Sequence, residues 1–142
     1  VSHTLALVLV PAGEPDPAGR ATAMLKRYWI SDLADKYDLN PEATCDGFTI
    51  GGRYDGIIWG KPQNYDLAPH EFQARYGFDV VTDDDNIRPV GQLVPVEDMR
   101  VGAIVTPDGA WHEWADDTWN DTAHALLAEH GDCLAVAFDC HS

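Results

Sequence analysis

The sequence predicts an α+β fold, a ferredoxin-like βαββαβ sandwich with helices on one face of an antiparallel sheet and a long insertion at about residues 60–100. Three observations lead there. Residues 4–10, TLALVLV, are apolar at both parities, as a central strand must be. Residues 101–106 and 111–114 are two strand-like runs joined through Pro107, Asp108 and Gly109, a strong hairpin signal. Two stretches with apolar residues three and four apart alternate with these strands.

The first strand ends at Pro11, and a loop rich in Gly and Pro follows. Asp16 before Pro17 reads as an N-cap with proline at the first helical position. Ala21, Met24, Leu25, Tyr28, Trp29, Leu33 and Tyr37 then make one apolar helix face, which predicts a helix to about Tyr37 closed by Asn40 and Pro41. Phe48 to Ile50 is a short strand running into Gly51, Gly52 and Arg53, after which Ile57, Ile58 and Trp59 extend the sheet or cover its edge. Residues 60–100, with Pro62, Pro69, Pro89 and Pro95 and the acids Asp83, Asp84 and Asp85, read as the insertion, with one short helix near residues 70–76. After the hairpin, Asn120 or Asp121 caps a second helix whose Ala123, Leu126, Leu127 and His130 share a face, and Gly131 stops it. Residues 133–139 form the last strand.

The chain of 142 residues, 45% hydrophobic, matches one domain able to bury a core without staples. With 9 Lys+Arg against 24 Asp+Glu, its formal net charge of −15 argues against direct binding to nucleic acid or to an anionic membrane. The same charge admits basic proteins and metal cations as partners. Three cysteines at 45, 133 and 140, without CxxC spacing, point to reduced thiols and a cytoplasmic setting. The run LALVLV is too short to span a bilayer and reads as a buried strand. A first residue of Val suits a GTG start in a bacterial or phage gene of high GC content, and equally processing or trimming.

Strand parity supplies the candidate site. On the last strand Leu134, Val136, Phe138 and Cys140 lie on one face, and Ala135, Ala137, Asp139 and His141 on the other. The bulky set belongs under the helices, which leaves the small residues as the shallow floor of an open face. Thr49, Gly51 and Arg53 share that face, so Arg53, Asp139 and His141 could meet, with Trp111, His112 and Trp114 of the hairpin as a wall. An arginine holds a carboxylate or phosphate bidentately, and an aspartate can orient an imidazole as general acid or base. The catalytic candidates are therefore His112, Asp139 and His141, and the ligand-binding ones Arg53, Gly51, Gly52, Tyr54 and Trp111. His112, Asp139 and His141 would also make a two-histidine, one-carboxylate set suited to a divalent metal such as zinc or iron. The alternative is a structural Arg53 to Asp139 salt bridge. Cys45 with His112 is a conceivable thiol pair, whereas Cys140 beside His141 fails on parity. His124 and His130, on or beside a helix, read as partly buried or end-capping imidazoles, whereas His70 in the insertion and His3 at a strand start are weak candidates.

The segments DGFTIGGRYDG, VTPDGAWHEW and VAFDCH, in this order, resemble a family of small uncharacterised bacteriophage and actinobacterial proteins. That family shows W-D-W-Y-x-I-G-G-R-W, then T-P-D-G-x-W-H, then a terminal D-C-H followed by one apolar residue. Asp46, Phe48, Ile50, Gly51, Gly52, Arg53 and Tyr54 match the first, with Cys45 and Gly47 where tryptophans are usual. Thr106, Pro107, Asp108, Gly109, Trp111 and His112 match the second, and Asp139, Cys140 and His141 the third, where Ser142 departs. The resemblance brings no activity, but it implies that Arg53, His112, Asp139 and His141 belong to one site.

The function this predicts is binding of a small anionic metabolite or nucleotide-like ligand on the open sheet face, with acid-base or metal-assisted turnover left open. The competing class is a non-enzymatic acidic interaction protein, a phage accessory factor or nucleic-acid mimic that blocks a basic host protein. A homodimer pairing through the open face is a third expectation.

Overall fold

The computed structural model describes residues 3–29, 45, 47–60, 74 and 83–141. It is an α+β structure with a mixed six-stranded sheet and a few helices. The strands are β1 (His3–Pro11), β2 (Gly47–Ile50), β3 (Ile87–Pro89), β4 (Ala103–Val105), β5 (Trp111–Glu113) and β6 (Cys133–His141). Among the described residues the helices include α1 (Pro17–Leu25), α2 (Val96–Met99) and α3 (Trp119–Glu129). The sheet order is β2-β6-β1-β4-β5, with β3 also on β6.

β1 is central, as its two-sided apolarity requires, and residues 5–10 are all buried. It pairs antiparallel with β6 along its whole length, from His3 opposite His141 to Pro11 opposite Cys133. On its other side it pairs parallel with β4, Leu7 opposite Ile104. That parallel pair corrects the expectation of a wholly antiparallel, ferredoxin-like sheet. β4 and β5 form the hairpin that the Asp-Gly turn predicts, with Ile104 opposite His112.

Helices on one face is a second expectation the structure corrects. Ala6, Val8, Val10, Val136, Phe138 and Cys140 share a core with Ala21 and Leu25 of α1. Leu5, Leu7, Leu9, Ala135, Ala137 and Ile104 share another with Trp119 and Ala123 of α3, Val96 and Met99 of α2, and Ile58. The face read as an open floor is therefore filled. Its small alanines leave depth for larger side chains arriving from outside the sheet.

α1 starts as its sequence dictates, with the Asp16 side chain accepting from the Gly19 N–H at 3.1 Å and Pro17 in the first turn. It ends at Leu25, earlier than periodicity suggests, in a 3-10 turn over Lys26–Tyr28. Trp29 is then extended and bridges Cys45, which draws the chain away from a helical path. Leu33, Tyr37, Asn40 and Pro41 lie outside the described residues. α3 begins one residue before the expected caps, and the Trp119 indole donates to the Val101 carbonyl at 2.6 Å.

Part of the expected 60–100 insertion belongs to the sheet. β2 lies along the end of β6, Gly47 opposite His141 and Ile50 opposite Phe138. The Gly51 N–H carries this ladder on to the Ala137 carbonyl at 2.9 Å, and β3 resumes it with Ile87 opposite Val136. β2 and β3 are thus two halves of one edge, from which the chain departs at Gly52 and to which it returns at Ile87. The short helix expected at residues 70–76 lies, but for Ala74, outside the described residues. Residues 57–59, expected as sheet or cover, make a 3-10 turn that buries Ile58 in the core on the α3 side.

Candidate functional site

The ends of β1, β2 and β6 place three polar side chains on one face. Asp139 lies between Leu5 of β1 and Thr49 of β2, and His141 between His3 and Gly47. Positions of equal parity on neighbouring strands project the same way, so His3, Asp139 and His141 stand together at this end of the sheet. The His3 and His141 rings are 5.6 Å apart between centroids and tilted by 54°. β2 contributes room as well: a Cβ on Gly47 would lie 2.3 Å from the His141 ring.

Asp139 is buried, with 4% of its surface exposed, and both carboxylate oxygens are engaged. Oδ1 is 2.8 Å from His3 Nδ1, and Oδ2 accepts the Arg53 backbone N–H at 2.9 Å. A buried carboxylate without such partners would be strongly disfavoured. The glycine pair makes the second contact possible. Gly52 has φ +54°, and a Cβ there would lie 2.6 Å from the Asp139 Cβ and 2.7 Å from Oδ2.

The turn is held from behind. Tyr54 N–H donates to the Gly51 carbonyl at 2.8 Å, closing a 3-10 turn over Gly52–Tyr54. Asn86, fully buried, accepts the Gly56 N–H at 2.9 Å and donates to the Asp55 carboxylate at 3.1 Å. Gly51 sits against this clamp, where a Cβ would meet the Asp55 carboxylate and the Asn86 amide. The Tyr54 side chain packs against the core on the α3 side. Burial first, and the Asp139 charge second, hold its phenol above the usual range.

His3, Gly52, Arg53 and Asp139 line a cavity of about 320 Å³. The Arg53 side chain is exposed at its rim, and among the described residues its guanidinium has no ion-pair partner. The structure thus brings Arg53, Asp139 and His141 to one end of the sheet, but by another contact than expected. It is the main chain of Arg53 that meets Asp139, in place of the expected salt bridge.

Two expected members are elsewhere. His112 is on β5, three strands from β6, a separation of roughly 14 Å at sheet spacing. Its Nε2 is 3.4 Å from Thr106 Oγ1, and with Thr106, Asp108, Glu129 and His130 it lines a different cavity of about 480 Å³. There the Thr106 hydroxyl first, and the Ala110 N–H second, hold the Asp108 carboxyl below the usual aspartate range. Trp111 faces the opposite side of the sheet, its ring 5.2 Å from that of Tyr28, and walls nothing near Arg53. Trp114, the third expected wall residue, follows β5 at that same far edge.

The metal set of His112, Asp139 and His141 is accordingly not assembled, and among the described residues no three or more His, Cys, Asp or Glu side chains are grouped to hold a metal ion. All three cysteines are buried thiols outside any disulfide. A hydrogen bond with Cys45 first, and burial second, push the Cys140 thiol well up, which disfavours a thiolate nucleophile. Cys45 lies on the α1 side of the sheet and His112 opposite Ile104 of the α3 side, so they form no pair.

His3, only a weak candidate in the sequence, is the imidazole that meets Asp139. The signal was its odd position in β1, shared with Leu5, Leu7 and Leu9, but using it required the β1–β6 register. Compared with known protein families, with curated proteins and with solved structures, the chain matches none of them. Among the described residues no helix is long and apolar enough to cross a membrane.

Proposed function

We propose that this protein binds a small anionic ligand, a carboxylate or phosphate, with its charge on Arg53 and its body in the cavity bounded by His3, Gly52 and Asp139. The observation that carries the reading is an exposed guanidinium, without an ion-pair partner among the described residues, at the rim of a cavity whose floor carboxylate is already engaged. In a chain with net charge −15, an arginine without an ion-pair partner among the described residues is not for want of carboxylates. The cavity of about 320 Å³ is at the small end for ligand sites and suits a small metabolite better than a whole nucleotide. In the resemblance to the phage and actinobacterial family, the first and third motifs supply Arg53 and Asp139. The second motif builds the far hairpin and its turn.

The test is a calorimetric and thermal-shift titration with inorganic phosphate, sulfate, acetate and malonate. A ligand at a hundredfold over its Kd is expected to stabilise the protein by about 2.7 kcal/mol. Arg53→Met is expected to weaken that ligand about 10- to 100-fold, the value of a charge-assisted bidentate contact, while leaving unfolding in ligand-free buffer unchanged within about 0.5 kcal/mol. No response to any of the four anions, or equal affinity in the variant, would sink the reading.

One observation favours the acidic-interaction reading as a second activity. Trp114 is 60% exposed, and Glu113, Asp116 and Asp117 beside it are exposed too. An aromatic face among carboxylates suits a lysine or arginine side chain of a basic partner. Poly-lysine binding at low salt is expected to fall severalfold in Trp114→Ala and to fade near 0.5 M salt. Binding that ignores both changes would remove this surface from consideration.

A further inference from the structure

We infer that His3 is the proton acceptor of the Arg53 pocket and Asp139 its positioning residue; the ligand would then be a small anion carrying, or binding beside, an ionisable O–H. The inference rests on the anion-binding reading above for its substrate class, and on the side-chain geometry for its chemistry.

A carboxylate oxygen only accepts, so the 2.8 Å contact between Asp139 Oδ1 and His3 Nδ1 places the ring hydrogen on Nδ1. In the neutral ring Nε2 then keeps its lone pair. The His3 side chain is 23% exposed, whereas that of Asp139 is 6% exposed, so one end of the dyad is reachable and the other is fixed. Asp139 cannot easily turn away, because its second oxygen is held by the Arg53 N–H at 2.9 Å and Gly52 leaves it no more space than it fills. The His141 ring lies 5.6 Å from that of His3, tilted by 54°. A carboxylate-oriented imidazole beside a cavity has the parts of a general base.

The step balances simply. Nε2 takes the proton of an O–H on the bound anion, or of a water next to it, and the electron pair of that bond stays on the oxygen. The imidazolium so formed is stabilised by Asp139, and the proton returns from Nε2 to product or solvent. Arg53 offsets the added negative charge on the ligand.

Long-range proton–nitrogen NMR of the imidazoles at pH 8 reads the tautomer directly, and the expected result for wild type is Nδ1 protonated and Nε2 lone-paired. Asp139→Asn offers one oxygen to two donors, the Arg53 N–H and His3 Nδ1–H, so the Nε2–H tautomer is expected to appear. Diethyl pyrocarbonate, which acylates a lone-paired ring nitrogen, is expected to modify His3 in wild type and about tenfold more slowly in Asp139→Asn, scored by peptide mass mapping with exposed His124 as reference. Inorganic phosphate is expected to protect His3 in wild type but not in Arg53→Met. An Nε2–H tautomer in wild type, or a His3 that stays unmodified while His124 reacts, overturns the inference even if phosphate binds. The expected tautomer and reactivity without phosphate protection would instead uphold the dyad and count against the anion seat alone.

Discussion

Replacing Gly52 by alanine is expected to destabilise the protein by roughly 2–5 kcal/mol and to dismantle the pocket. Two costs add. A residue with a side chain at φ +54° pays about 1–2 kcal/mol for the left-handed conformation, and crowding a packed position costs about 1–3 kcal/mol. The new methyl would meet the Asp139 Cβ at 2.6 Å and Oδ2 at 2.7 Å, and that side chain is held at both oxygens by His3 and the Arg53 N–H. Relief requires the 52–54 turn to lift off β6, which breaks the contact between the Arg53 N–H and Asp139. Urea unfolding measures the loss, and the matched control is Gly13→Ala, where a Cβ meets nothing within 4 Å and the expected change is under about 0.5 kcal/mol. Equal stability of the two variants would mean that the glycine pair is not what admits the turn to Asp139.

Trp119→Ala is expected to cost about 3–5 kcal/mol, lowering the melting temperature by roughly 3 °C for each kcal/mol. The indole is 4% exposed, belongs to the core that covers Ala135 and Ala137, and donates to the Val101 carbonyl just before β4. Trp119→Phe keeps most of the volume but drops the donor, and is expected to cost about 1–3 kcal/mol. Thermal and urea unfolding of both variants separate packing from hydrogen bonding. They also test the arrangement of layers, since a sheet with helices on one face only would lose little from a residue on the other. A loss under about 1 kcal/mol for the alanine variant would contradict the two-sided core.

Much of this was legible in the chain. Two-sided apolarity identified β1 as central, the Asp-Gly turn identified the β4–β5 hairpin, and Asp16 with Pro17 identified the start of α1. Parity placed Asp139 and His141 on the face shared with Thr49 and Arg53, because alternation along a strand is a local property of the backbone. Other features were not legible, for a common reason. Alternation says which face a side chain takes, but not which strand lies beside it or what covers that face. His112 shared the correct face and still lies three strands away. Ala135 and Ala137 looked like a floor left open, whereas small residues serve equally as recesses that larger side chains from α3 and the 57–59 turn fill.

The glycine pair before Arg53 marked a place where backbone approaches something closely, and the charge of −15 made an arginine there conspicuous. Composition, periodicity and parity by themselves determined the α+β class, the strand ends that carry Arg53 and Asp139, and the scarcity of cations that gives Arg53 its weight. Only the tertiary structure decided that the Arg53 main chain, not its guanidinium, satisfies Asp139, that His3 is the imidazole Asp139 holds, and that His112 and Trp111 stand elsewhere. Those outcomes depend on strand order and register, which arise from contacts between residues as far apart as His3 and His141 and leave no trace in any local stretch.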